Sequence, residues 1–285
     1  MANRECSNTS CSKESCEGCP SRNKESFLAE PNIYTDVKHV IGIVSGKGGV
    51  GKSMVTASLA NAMAERGFSV GILDADITGP SIPKMYGVHG PAQADDDGIL
   101  PLKSKNGIKI MSINLLMPDE ESPVIWRGPI IANMVKQFWT DVIWGELDYL
   151  FVDMPPGTGD VPLTVFQSLP VEGVVIVSSP QDLVRMIVTK AYHMAETMNI
   201  PILGIVENYS YLACPDCGKK ISVFGESHID EIAADLKVPV LGKVPIQPEL
   251  AELADKGAFE EQQGEYLDQA VELLYMMEKN SKKDH

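Results

Sequence analysis

The stretch Gly46-Lys47-Gly48-Gly49-Val50-Gly51-Lys52-Ser53 constrains this chain more than any other. It follows an apolar run, His39 to Val44, and precedes a helical pattern from Met54 to Glu65. Strand, glycine loop and helix are the setting that the G-x-x-x-x-G-K-[ST] phosphate-binding motif requires. Glycines let backbone N–H groups turn inward as an anion nest, and the helix N-terminus adds partial positive charge. Lys52 is then expected to reach the β- and γ-phosphates, and the Ser53 hydroxyl to ligate Mg²⁺. With Met54 at the helix entrance, residues 46–54 form the expected nucleotide-binding loop. Alternating strands and helices after such a loop predict an α/β fold: a doubly wound, mainly parallel sheet with helices on both faces.

Acids at strand ends supply the next landmarks. Val70 to Leu73 leads into Asp74, then Ala75-Asp76 and a loop rich in Gly and Pro. Tyr149 to Val152 leads into Asp153, then Met154-Pro155-Pro156-Gly157. In a parallel sheet such acids sit beside the phosphates. Asp153 is the expected Walker-B acid and, with Asp74 and Ser53, the expected Mg²⁺ shell. Asp76 is the candidate for orienting the attacking water. The alternative for Asp74 and Asp76 is that they cap a turn or helix. Gly157 offers a backbone N–H to a γ-phosphate, which makes its loop a candidate switch.

Six cysteines fall in two groups. Cys6, Cys11, Cys16 and Cys19 lie in a polar segment with few large apolar residues, which divides the chain into a flexible metal-binding stretch, 1–37, and an ATPase domain, 38–285. Four thiolates there suit one iron–sulfur cluster or one zinc. Cys214-Pro215-Asp216-Cys217 is a C-x2-C knuckle with half of a tetrahedral ligand set. A second subunit, the N-terminal cysteines or a redox disulfide would each complete it. Composition narrows the partners. A formal net charge of −15 disfavours non-specific nucleic-acid binding. Residues 247–285 carry ten acids and four bases, which makes a poor anchor for anionic membranes. No apolar run reaches a membrane span and the start of the chain lacks a signal-peptide core, so the expected location is cytoplasmic.

The combination of Lys47 with Lys52, Asp74-Ala75-Asp76-Ile77, Asp153-Met154-Pro155-Pro156-Gly157 and Cys214-Pro215-Asp216-Cys217 resembles the Mrp/ApbC (Nbp-like) family of P-loop ATPases. The resemblance covers about residue 38 to residue 260. It implies an Mg²⁺-dependent ATPase that carries a 4Fe–4S cluster to apo iron–sulfur proteins. It further implies a homodimer in which Lys47 crosses to the opposite nucleotide, joining Lys52, Asp76 and Asp153 in the catalytic set. Asn208 is the carry-over candidate for reading adenine, although Tyr209 stands where the family usually has Met. In a dimer, Cys214 and Cys217 from each subunit would bridge one 4Fe–4S cluster on the twofold axis. The N-terminal cysteines resemble the cluster-binding extensions of some members, with different spacing. The rival expectation is a partitioning or division-site type of regulatory ATPase with a structural zinc. Trp126-Arg127-Gly128 also resembles the family, with no role derivable for Arg127.

Overall fold

A computed structural model describes residues 28–77, 79–117, 128–180, 184–262 and 266–281. Cys6, Cys11, Cys16, Cys19 and Arg127 lie outside the described residues. The strands are β1 (Thr35–Val44), β2 (Val70–Asp74), β3 (Leu102–Lys103), β4 (Lys109–Met111), β5 (Gly145–Asp153), β6 (Gly173–Ser178), β7 (Ile202–Glu207), β8 (Leu212–Ala213), β9 (Lys220–Ile221) and β10 (Val240–Lys243). The α-helices are α1 (Lys52–Glu65), α2 (Ile82–Met85), α3 (Gly128–Thr140), α4 (Asp160–Ser168), α5 (Val184–Thr197), α6 (Ile229–Leu236), α7 (Pro248–Asp255) and α8 (Asp268–Ser281).

Eight strands form one sheet in the order β10-β7-β6-β1-β5-β2-β4-β3. Every pairing is parallel except β3 with β4 at one edge. The near-continuous apolar sequences of β1, β5 and β6 follow from this, because a strand covered by helices on both faces has no polar side. Successive side chains feed opposite faces. Val40, Val44, Leu150 and Val152 pack into the core beneath α3 to α6, which contribute Phe138, Val165, Val188 and Ile232. Ile41, Ile43, Tyr149 and Phe151 pack into the other core, with Leu59 of α1, Met85 of α2, Leu250 of α7 and Leu274 of α8.

Register brings the chemistry to one edge of the sheet. Ile43 pairs with Asp153, Asp153 with Asp74, and Ser178 with Glu207. The C-terminal ends of β1, β2, β5, β6 and β7 therefore lie level, and the loops that follow them share one rim. The apolar pattern predicts a strand over 109–116 and the helical pattern a helix over 224–236, and both elements are shorter. The apolar run 109–116 stops being a strand at Met111 and continues as the 3-10 turn Ile113–Leu115. Residues 224–228 precede α6 instead of opening it, since Gly225 has φ +89° and ends any helical run there.

Candidate nucleotide and thiolate sites

The loop after β1 has the backbone its glycines predict. Gly49 and Gly51 have φ +78° and +77°, a left-handed conformation that disfavours a Cβ. Gly51 has a second reason: a Cβ there would lie 2.0 Å from Asn208 Nδ2. Residues 47–54 line one cleft with Asp76, Gly79, Ser81, Pro156 and Tyr209. Ser45 lines it too, and its buried Oγ has no hydrogen-bond partner among the described residues. Lys47 is exposed on the loop.

Asp153 is fully buried at the end of β5 and is satisfied from α1. Lys52 Nζ lies 2.7 Å from its Oδ1, Thr56 Oγ1 donates to Oδ1 at 2.7 Å, and Ser53 Oγ donates to Oδ2 at 2.5 Å. Lys52 and Thr56 are four residues apart on α1 and so face the same carboxylate. Asp74, also fully buried, accepts the backbone N–H groups of Asp76, Ser81 and Ile82 at 3.1, 3.1 and 3.2 Å. It therefore shapes the loop that carries Asp76. Burial foremost, then the Asp153 charge alongside, push the Asp74 carboxyl up to about 8. Ser53, Asp74 and Asp153 present hydroxyl and carboxylate oxygens together, a hard donor set that fits Mg²⁺.

Gly157, at φ +90°, donates its N–H to the Ser45 carbonyl at 2.8 Å, which ties the loop after β5 to the start of the phosphate loop. On the other side Asn208, fully buried, donates Nδ2 to the Val50 carbonyl at 3.0 Å. Its Oδ1 is buried without a hydrogen-bond partner. The Asn208 side chain thus belongs to the architecture of the loop itself.

The second site is the hairpin of β8 and β9. Leu212 pairs with Ile221 and Ala213 with Lys220, and the turn between them holds Cys214 and Cys217. Cys214 N–H donates to Lys219 at 2.9 Å, Gly218 N–H returns to Cys214 at 2.8 Å, and Gly218 takes φ +71°. The backbone N–H groups of Cys217 and then Asp216, with the Cys217 side chain, lower the Cys214 thiol below its ordinary range. Both cysteines are free thiols, and Cys217 is exposed. Among the described residues no group of three or more His, Cys, Asp or Glu is arranged to hold a metal. The knuckle thus brings two free thiols together in one exposed turn.

Sequence reasoning missed three residues that organise these sites. Thr56 was detectable from its four-residue offset from Lys52. Glu207 was detectable as a third acid ending an apolar strand. Ser227 had no sequence signal: it matters only through its contact with Glu207, 2.6 Å away and 20 positions distant in the chain.

The comparisons agree with this geometry. The iron-sulfur cluster carrier protein of Methanocaldococcus jannaschii is 47% identical over 253 residues, spanning 85% of this chain and 87% of its own length. That of Clostridium perfringens is 48% identical over 236 residues, 80% of this chain and 83% of its own. Among solved structures, a nucleotide-binding protein of Archaeoglobus fulgidus in complex with ADP superposes with a TM-score of 0.73 at 45% identity, covering 81% of this chain and 90% of that one. The septum site-determining protein MinD of Pyrococcus horikoshii, complexed with Mg-ADP, has a TM-score of 0.58 at 20% identity over 86% of this chain and 98% of its own, and shares the fold. A family model described as ParA, NUBPL iron-transfer P-loop NTPase, matches residues 36–278. With a complete phosphate loop, its buried acids and this extent of match, the chain belongs to the NUBPL-type iron-transfer P-loop NTPases.

Proposed function

We propose that this protein is an ATP-hydrolysing carrier that holds a 4Fe–4S cluster between two copies of itself and delivers it to apo iron–sulfur proteins in the cytoplasm. One observation carries the reading. A chain with a full nucleotide cleft also presents an exposed C-x2-C knuckle whose Cys214 is held toward thiolate, and which has only two of the four ligands such a cluster needs. A twofold axis through the knuckle would supply the other two. The relatives named as iron-sulfur cluster carriers support the same cargo.

In this mechanism residues 46–54 hold the triphosphate with backbone N–H groups. Lys52 exchanges its contact with Asp153 for the β- and γ-phosphates. Ser53, Asp74 and Asp153 would hold Mg²⁺, which neutralises charge developing on the phosphate oxygens. Asp76, fixed through its N–H to Asp74, orients the attacking water. Lys47 contributes across the dimer interface to the opposite nucleotide. Asn208, whose buried Oδ1 makes no hydrogen bond within the described residues, is the candidate for reading adenine. Gly157 exchanges its Ser45 contact for the γ-phosphate and so reports hydrolysis to the loop after β5. The N-terminal thiols Cys6, Cys11, Cys16 and Cys19 form a separate metal site.

Anaerobic reconstitution with iron and sulfide tests the cargo. Iron and visible absorbance are read per dimer for the intact chain, for Cys214→Ala/Cys217→Ala, and for a variant lacking residues 1–30. The expected result is a loss of about one 4Fe–4S per dimer in the double substitution, with the truncated chain keeping it. Zinc without iron in every variant would overturn the carrier reading.

A further inference from the structure

The nucleotide cleft and the cysteine knuckle are joined at the end of β7 by two consecutive side chains that point opposite ways. Asn208 turns toward α1 and grips the phosphate loop at the Val50 carbonyl, 3.0 Å away. Glu207 turns toward α5 and α6 and is fully buried. Its Oε2 accepts the Ser210 hydroxyl at 2.5 Å and its Oε1 accepts the Ser227 hydroxyl at 2.6 Å. Ser210 and Ser227 are the two roots of the excursion, residues 211–226, that carries Cys214 and Cys217. One carboxylate therefore clamps both roots.

The excursion depends on those roots for its orientation. Residues 215–226 are all exposed, and the β8–β9 ladder has only two residue pairs, so the excursion packs little against the body. The first limb is fixed by backbone: Ser210 N–H to the Val244 carbonyl at 2.9 Å and Ile246 N–H to the Tyr211 carbonyl at 2.7 Å. The second limb passes through Gly225, at φ +89°, before Ser227 accepts the Ile229 N–H at 3.3 Å and opens α6. Among the side-chain contacts described for this limb, Ser227 to Glu207 is the one that ties it to β7.

We propose that the Glu207 carboxylate, with Ser210 and Ser227, is the positioning link through which the phosphate loop sets the orientation of the Cys214–Cys217 knuckle. A shift of the Val50 carbonyl on phosphate binding moves Asn208; Glu207 is its chain neighbour and passes the displacement to the second limb. The link concerns the thiols themselves and rests on the carrier reading only for what they hold.

The test reads those thiols directly. The full-length, reduced and metal-free protein is alkylated under anaerobic conditions with a non-hydrolysable ATP analogue or with ADP, and modification of Cys214 and Cys217 is followed by peptide mass. In the unaltered protein the two nucleotides should give different rates. Ser227→Ala should abolish that difference while nucleotide affinity stays unchanged, Ser227→Thr should restore it, and Glu207→Gln should reduce it. A purely structural role would not distinguish the two nucleotides. The proposal is overturned if Ser227→Ala keeps the full difference, or if the unaltered protein shows none. A nucleotide-dependent rate lost in Ser227→Ala, in a protein that takes up no iron on reconstitution, would uphold the clamp and remove the cargo.

Discussion

Gly51 meets two constraints at once, and they separate it from its neighbour Gly49. Both residues have φ near +78°, and a left-handed non-glycine residue costs about 1–3 kcal/mol. Nothing lies within 4 Å of a Cβ built on Gly49, whereas one on Gly51 meets Asn208 Nδ2 at 2.0 Å. Gly49→Ala should therefore lose only the backbone term, roughly 1–2 kcal/mol by urea unfolding. Gly51→Ala should lose more, and also break the Asn208 contact to Val50. Equal losses would contradict the role given to Asn208. The loop itself was legible in sequence because its chemistry is local: eight consecutive residues state the turn, the nest and the lysine. The reason for Gly51 was not, because Asn208 approaches from 158 positions away from Val50.

Strands ending in an acid are the repeated device of this fold, at Asp74, Asp153 and Glu207, and each acid is buried and satisfied differently. The first two were readable from an apolar run closed by Asp beside a glycine turn. Glu207 closes an equally apolar run, but its partners are the hydroxyls of Ser210 and Ser227, and serines in loops give no pattern. Helix α4 was missed because Gly157-Thr158-Gly159 followed by Pro162 reads as loop. A first helical turn tolerates proline there, since its N–H would have no intrahelical partner. Midway along β1, His39 ties that strand to the segment before β6 and to α8. It is buried, with Nδ1 2.8 Å from Glu172 and Nε2 2.9 Å from Glu278 of α8, and it stacks on Tyr149. With both carboxylates ionised, both ring nitrogens donate, an arrangement that favours the imidazolium. Burial opposes the charge, but Glu172 and Glu278 outweigh it and raise His39 above 6.5. A raised folded value stabilises fully below the unfolded value and is lost as pH rises through the folded one. The urea midpoint of the unaltered protein should exceed that of His39→Gln most at about pH 6, and the gap should narrow toward pH 9. A gap that widens with pH would contradict the ion-pair assignment.

At the scale of the whole molecule, one rim of a parallel sheet gathers both sites. The phosphate loop, the loops after β2 and β5 and the root of the knuckle all leave strands at the same level, so a change at the phosphates has a short path to the thiols. Fold class and nucleotide site were legible in sequence because helix and strand alternate with clear apolar runs. The completion of the thiolate site was not, because Cys214 and Cys217 offer half of a tetrahedral set and spacing alone does not name the other half. We infer that, if the knuckle holds the cluster, the same link lets nucleotide state govern its release. The most direct test is the rate of cluster transfer from the reconstituted protein to an apo 4Fe–4S recipient, measured with ATP, with ADP and without nucleotide. The rate with ATP should differ from the other two, and Asp76→Asn, which leaves ATP bound unhydrolysed, should keep that difference. Identical rates under all three conditions would contradict it.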